Sequence, residues 1–222
     1  MCGRYALHTH PDIIALQFGV AEAPPMKPRF NIAPTQEAPI VRVRVGPEQK
    51  RELALLRWGL IPSWSKDPSI GARMINARAE SVAEKPSFRN AFRRRRCLVP
   101  ADGYYEWKVE GGRKQPYFLQ FASGEPFAMA GLWEQWRSPE GRFIGTYAIV
   151  TTEAAGTARQ IHDRMPVILA QPEYQAWLCS ADPGGLLRPW LGAALSVRRV
   201  SPRVNSPRFD DPQCLDEAVG GP

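Results

Sequence analysis

The second residue of the chain holds the most reactive combination of groups in it. Once Met1 is removed, Cys2 carries an α-amine and a β-thiol on one residue. An α-amine has an unperturbed pKa of about 7.7 to 8.0 against about 10.4 for lysine, so much more of it is nucleophilic at neutral pH. It can condense with an aldehyde to a Schiff base, and the thiol can then add to the imine carbon and close a thiazolidine. Position alone also fits a small cysteine buried and inert in the first strand, because environment decides thiol reactivity. Three other residues could serve such a reaction. Glu106 stands among Tyr104, Tyr105 and Trp107; turned inward, it would be desolvated and suited to proton transfer near neutrality. Strand alternation equally allows Tyr105 and Trp107 on one face and Glu106 on a solvated other. His162, in IHDRMPV, fits either a proton shuttle or a turn histidine satisfied by Asp163. Asn76, in MINARAES, could orient a reacting group or cap a helix starting there.

Other chemistries find less support. The three histidines and the four cysteines, Cys2, Cys97, Cys179 and Cys214, show no metal-ligand spacing. With no C-x-x-C pair and no H-E-x-x-H, neither a metal, a cofactor nor a disulfide scaffold is expected. Gly111-Gly112 fits a hairpin turn rather than a phosphate-cradling loop. Arginine is the stronger signal: 29 Lys and Arg against 22 Asp and Glu leave a net charge of +7, which favours an anionic partner, nucleic acid first. Arg4, Arg29, Arg73, Arg78, Arg89, the run Arg93 to Arg96, Arg164, Arg198 and Arg199 could line a phosphate-neutralising face. Trp58, Trp64 and Trp107 would then be available to wedge or stack bases. A four-arginine run also suits a solvated helix end, where cations complement the dipole.

These residues need a scaffold, and 222 residues make one large domain or two small ones. A composition of 44% hydrophobic and 23% charged residues disfavours disorder and fibrous architecture. The 22 prolines predict short strands and many turns rather than a helical bundle. No apolar run has the length of a membrane span and the N-terminus lacks a signal-peptide core, so a cytoplasmic protein with no membrane partner is expected. A helix is predicted after His10-Pro11-Asp12, ending at Gly19, and a strand at Val41, Val43 and Val45, ending at Gly46-Pro47. ELALLRW at 52 to 58 reads as its partner, 59 to 71 as a loop, and 77 to 95 as one or two short helices. Strands are predicted near 97–100, 104–109, 116–121, 127–136, 143–152, 166–170 and 196–200, with short helices at 153–160 and 172–179. The sum is an α+β fold, a single domain over residues 1–200. Its strands are mixed and mainly antiparallel, curled into a barrel-like sheet with short flanking helices. Residues 201–222, rich in proline, read as a loose tail. A monomer is the default.

Six blocks occur in order: MCGRY at 1 to 5, RFNIAPTQ at 29 to 36, WGLIPSW at 58 to 64, INARAES at 75 to 81, CLVPADGYYEW at 97 to 107 and HDRMPVIL at 162 to 169. Together they resemble the SRAP (SOS response-associated peptidase) family of abasic-site processing proteins, and no position in them departs from the family pattern. The resemblance implies loss of Met1, by aminopeptidase or self-cleavage, and attack of Cys2 on the ring-opened aldehyde of an abasic site in single-stranded DNA. A thiazolidine cross-link results. By the same resemblance Asn76 holds the opened sugar, Glu106 shuttles protons, and His162 assists sugar opening and the reverse reaction. Arg78 and Arg164 become DNA contacts, with Arg4 and Thr151 as further ones; Trp64 and Trp107 stay as stacking candidates. Lyase character would follow if the Schiff base escapes thiol closure, and a bound protein would be nucleoid-associated. Two other readings remain: a thiol protease using Cys2 and His162 on other proteins, and a non-covalent binder of damaged or modified DNA.

Overall fold

The structure, a computed structural model, describes residues 2–44 and 50–218. Val45 and the Gly46-Pro47 stop lie outside them. In chain order the elements are β1 (Tyr5–Leu7), α1 (Pro11–Phe18), β2 (Arg29–Ile32), β3 (Glu37–Val43), β4 (Arg51–Trp58), β5 (Asn76–Arg78), α2 (Arg89–Arg94), β6 (Arg96–Ala101), β7 (Gly103–Glu110), β8 (Arg113–Phe121), β9 (Phe127–Arg137), β10 (Phe143–Glu153), β11 (Arg164–Pro166), β12 (Ile168–Leu169), α3 (Tyr174–Cys179) and β13 (Leu195–Arg199).

Five of these strands close on themselves. β4, β3, β6, β9 and β10 pair antiparallel in that order, and β10 then meets β4 in parallel, with Tyr147 opposite Trp133 on one side and Trp58 on the other. Closure removes the exposed edges that an open sheet leaves available for aggregation. β10 outruns the barrel, and its far end carries β5 in parallel (Thr151 opposite Arg78) and β11 antiparallel (Thr151 opposite Pro166). A second sheet, ordered β13, β8, β7, β1, β2, lies against it. Trp58, Tyr5, Tyr104, Tyr147 and Phe127 are among the fully buried side chains between them. Each such side chain contributes about 1.5–3 kcal/mol of apolar transfer. The Tyr5 and Tyr147 hydroxyls satisfy each other at 2.7 Å. The mixed, mainly antiparallel, barrel-like fold with short helices is thus as expected.

Local differences have local causes. Residues 77 to 95 do not open with a helix: Asn76–Arg78 is a strand recruited by β10, and α2 begins only at Arg89. Residues 156–160 form a 3-10 turn, and the strand expected at 166–170 breaks in two, β11 pairing β10 and β12 pairing β9. The proline-rich stretch after α1 yields β2, which no alternation announced. α1 is capped by His10, whose ring accepts from Asp12 N–H, and stops at Gly19 with φ +65°. Gly59 and Gly71 pinch the base of the loop carrying Trp64. A Cβ on Gly59, at φ +126°, would stand 2.5 Å from the Gly71 carbonyl oxygen.

The loose tail expected from Ser201 is instead packed as far as residue 218. Asp210 Oδ1 accepts from the Phe30 and Asn31 amides at 2.6 and 2.8 Å, and Arg29 pairs with the same carboxylate. The buried Asn31 donates to the Phe209 carbonyl at 2.6 Å, and Val204 and Cys214 are fully buried beside Tyr105 and Phe118. Proline content predicted looseness because the anchors stand about 180 residues earlier in the chain, beyond the reach of any local pattern.

Candidate active site

β1 pairs with β7 at Tyr5 opposite Tyr104, and the Tyr105 N–H donates to the Arg4 carbonyl at 2.9 Å. This ladder carries the N-terminus inward, so that Cys2 is fully buried. β7 alternates as its sequence permits. Tyr105 packs with Phe118 in the smaller cluster behind the sheet, with Trp107 against it, while Tyr104 belongs to the main core. Glu106, two residues on from Tyr104, shares its inward direction and is only 3% exposed. The side of β7 opposite Tyr105 and Trp107 is therefore interior, and the solvated alternative for Glu106 does not hold.

The electrostatics follow from that burial. Desolvation raises the Glu106 carboxyl above its ordinary value, and His162 nearby offsets only part of that rise. Burial also pushes the Cys2 thiol far above its ordinary value, and Glu106 adds to the shift. The thiol thus rests protonated. Asn76, at the head of β5, donates from Nδ2 to the Cys2 carbonyl at 2.9 Å, so it caps no helix. Its Oδ1 is buried and has no hydrogen-bond partner among the described residues, which leaves it an available acceptor. His162 follows the 156–160 turn, its N–H bonded to the Ala158 carbonyl at 3.1 Å. Its Nδ1 lies 2.9 Å from the Arg164 N–H and 2.7 Å from Asp163 Oδ1. A lone pair on Nδ1 suits the first contact.

Beside His162 opens a cleft of about 620 Å³ lined by Arg78, Arg159, Arg164, Glu153 and Asp163. Arg78 is exposed in it. Arg164 is held by the Glu80 carboxylate at 2.5 and 3.0 Å and by the Thr151 carbonyl at 2.7 Å. Thr151 itself is fully buried, so it positions Arg164 and offers no surface of its own.

The remaining nominated residues stand elsewhere. Arg4 donates to Asn31 Oδ1 at 2.8 Å and to the Val204 carbonyl at 2.7 Å, and its guanidinium lies 5.9 Å from the Trp107 ring. Trp107 Nε1 donates to Asn205 at 2.7 Å. Both residues tie the C-terminal segment to the back of the second sheet. Trp64 is 60% exposed in its loop, whereas Trp58 is core, its Nε1 bonded to the Ile75 carbonyl. Arg29, Arg96 and Arg198 are likewise engaged internally and Arg199 pairs with Glu110 at the surface, so the basic face is smaller than the sequence suggests.

Two residues escaped the sequence reading. Tyr104 has a buried hydroxyl without a partner among the described residues, close enough to Cys2 and Glu106 for both to bear on its ionisation. The two-residue spacing from Glu106 was the available signal. Glu80, inside the INARAES block, orients Arg164, and no pattern linked residues 84 apart. Among the described residues no group of three or more His, Cys, Asp or Glu could hold a metal, and no helix is long and apolar enough to cross a membrane.

A five-stranded barrel backed by a second sheet, with a buried Cys2 whose carbonyl accepts from Asn76 and whose thiol lies near the buried Glu106, defines one class of protein. Residues 1–207 match the family described as SOS response associated peptidase (SRAP), and the chain belongs to that family. It is 40% identical over 225 residues to abasic site processing protein YoqW of Bacillus subtilis (strain 168), covering 97% of this chain and 99% of that one. It is 34% identical to abasic site processing protein HMCES of Gallus gallus, over 85% of this chain and 66% of that protein. Among solved structures, a protein from Bacteroides thetaiotaomicron superposes with a TM-score of 0.86 at 27% identity, over 98% of this chain and all of that one.

Proposed function

We propose that this protein senses abasic sites in single-stranded DNA and captures them as a thiazolidine through Cys2, after removal of Met1. The observation that supports the reading is that Asn76 holds the Cys2 carbonyl beside the buried Glu106, with His162 near Glu106 on the wall of a basic cleft. The names of the relatives, abasic site processing proteins, supply the substrate class.

Burial sets the order of steps. With its thiol held protonated, Cys2 reacts first through the α-amine, which adds to the aldehyde and loses water to give the Schiff base. The thiol sulfur then bonds to the imine carbon while its proton passes to the nitrogen, closing the ring; the net change is loss of one water. Glu106, with its raised carboxyl pKa, takes and returns the protons of both steps. An abasic sugar is mostly a closed hemiacetal, so His162 at the cleft wall serves the ring opening that exposes the aldehyde. Asn76 Oδ1 accepts from a hydroxyl of the opened sugar. Arg78 and the Glu80-braced Arg164 hold flanking phosphates, and exposed Trp64 stacks a base.

The same groups suit cleavage of the Met1-Cys2 bond in cis, which is the peptidase activity we assign, and β-elimination from an unclosed Schiff base gives lyase character. Turnover of other proteins has no support in a basic cleft. The protein acts as a monomer without metal or cofactor, in the cytoplasm and on the nucleoid when bound.

Intact mass after incubation with a single strand bearing one abasic site tests the reading. Expected is loss of Met1 and a heat-stable adduct of protein and DNA, absent with undamaged DNA and with Cys2→Ala, which still binds the strand. An adduct undiminished in Cys2→Ala refutes the chemistry. Retained Met1 with binding and no adduct transfers the case to a non-covalent reader of damaged DNA.

A further inference from the structure

A second basic cleft, of about 480 Å³, opens at the end of the barrel where Arg94, Arg95 and Trp133 meet Ser63 and Gln135. Its walls come from α2, the start of β6, the outward face of β9 and the Trp64 loop. The three arginines there are not equivalent. Arg96 is buried and donates to the Phe92 carbonyl at 2.6 Å and to the Trp177 carbonyl, so it is a structural cap of two helix ends. Arg95 is pinned by the buried Glu134 at 2.7 Å, which neutralises it. Arg94 is exposed and enters no ion pair among the described residues. Beside them Trp133 is half-buried, with the Arg42 guanidinium 4.3 Å from its ring. An unneutralised guanidinium and a cation-backed indole in one concavity form a set that takes phosphate and base together.

One loop joins the cleft to the neighbourhood of the reactive site. The loop that leaves Trp58, next to Ile75 and Asn76, runs through Ser63, which lines the cleft, and Trp64, which is exposed. The geometry points to this cleft as a second contact for the same single strand of DNA. Arg94 takes a backbone phosphate and Trp133 a base several nucleotides from the lesion, past Trp64. The inference rests on the DNA substrate proposed above and adds a length requirement to it: a strand too short to reach the cleft is captured without its help.

Affinity for undamaged strands of about 4 and about 16 nucleotides, at several salt concentrations, reads this directly. In Arg94→Ala the long strand is expected to weaken about 5-fold or more and its log–log salt slope to fall by about 0.7, the share of one phosphate on a single strand. The short strand should bind as in the wild type. Arg94 is exposed, so the variant folds; an unchanged thermal transition verifies this, and Trp133→Phe, which keeps a stacking ring, should retain the long-strand preference. Equal loss on both lengths, or no loss on either, overturns the second contact. Failure of the wild type to form an adduct on a short abasic strand instead overturns the capture chemistry, and leaves the length comparison readable by itself.

Discussion

Glu106 illustrates how a single carboxyl is made useful at a cost to the fold. Buried at 3% exposure, it has a pKa above its ordinary value, so the folded state binds its proton more tightly than the unfolded chain does. Its contribution to stability is therefore full below the unfolded value of about 4.3 and is lost as pH rises through the folded one. Glu106→Gln should accordingly raise the melting temperature at pH 7, with the difference vanishing below about pH 4; equal melting temperatures at pH 7 would contradict a buried charge. The same substitution should slow adduct formation by about 100-fold or more and abolish the acid limb of its pH profile, measured in single-turnover quench experiments. The residue types of the site were legible in the sequence, because an N-terminal cysteine and a carboxylate among aromatics are unusual on any scaffold. Their environments were not: inward and outward faces of YYEW are equivalent until a second layer decides which one is covered.

At the level of elements, strands with strong alternation or long apolar runs, β3, β4 and β6 to β10, were readable. Short strands exist only because a neighbour needs them. β5 is three residues long and is strand solely through its parallel pairing with β10, which is why NAR read as a helix start. β2 and the segment 201–218 depend on each other in the same way, through Asp210 and Asn31. Asp210→Ala leaves two strand amides and Arg29 without their acceptor, so urea unfolding should show a loss of about 1–3 kcal/mol. A change within error would mean that water replaces the carboxylate there. Because Arg4 grips Asn31 and Val204, the variant should also loosen the approach to Cys2 and lower adduct yield beyond what the stability loss explains.

For the molecule as a whole, β10 is the element on which closure depends. It pairs with β9, β4, β5 and β11, and its Thr151 end holds Arg164 and aligns Asn76 through β5. A fragment of residues 1–142 lacks it, so the barrel stays open, and calorimetry should find no cooperative transition. A sharp transition would show that the second sheet folds on its own. That dependence was not visible in the sequence, where FIGTYAIVTT is one apolar strand among several.

The inward course of the N-terminus also imposes a schedule on synthesis. Cys2 becomes fully enclosed only when Asn76, Glu106 and His162 have been made. At ribosomal speeds of about 5–20 residues per second, the last of these emerges on the order of ten seconds after the first residues do. A separate enzyme that trims Met1 has its freest access to the chain within that interval, before the fold closes over Cys2.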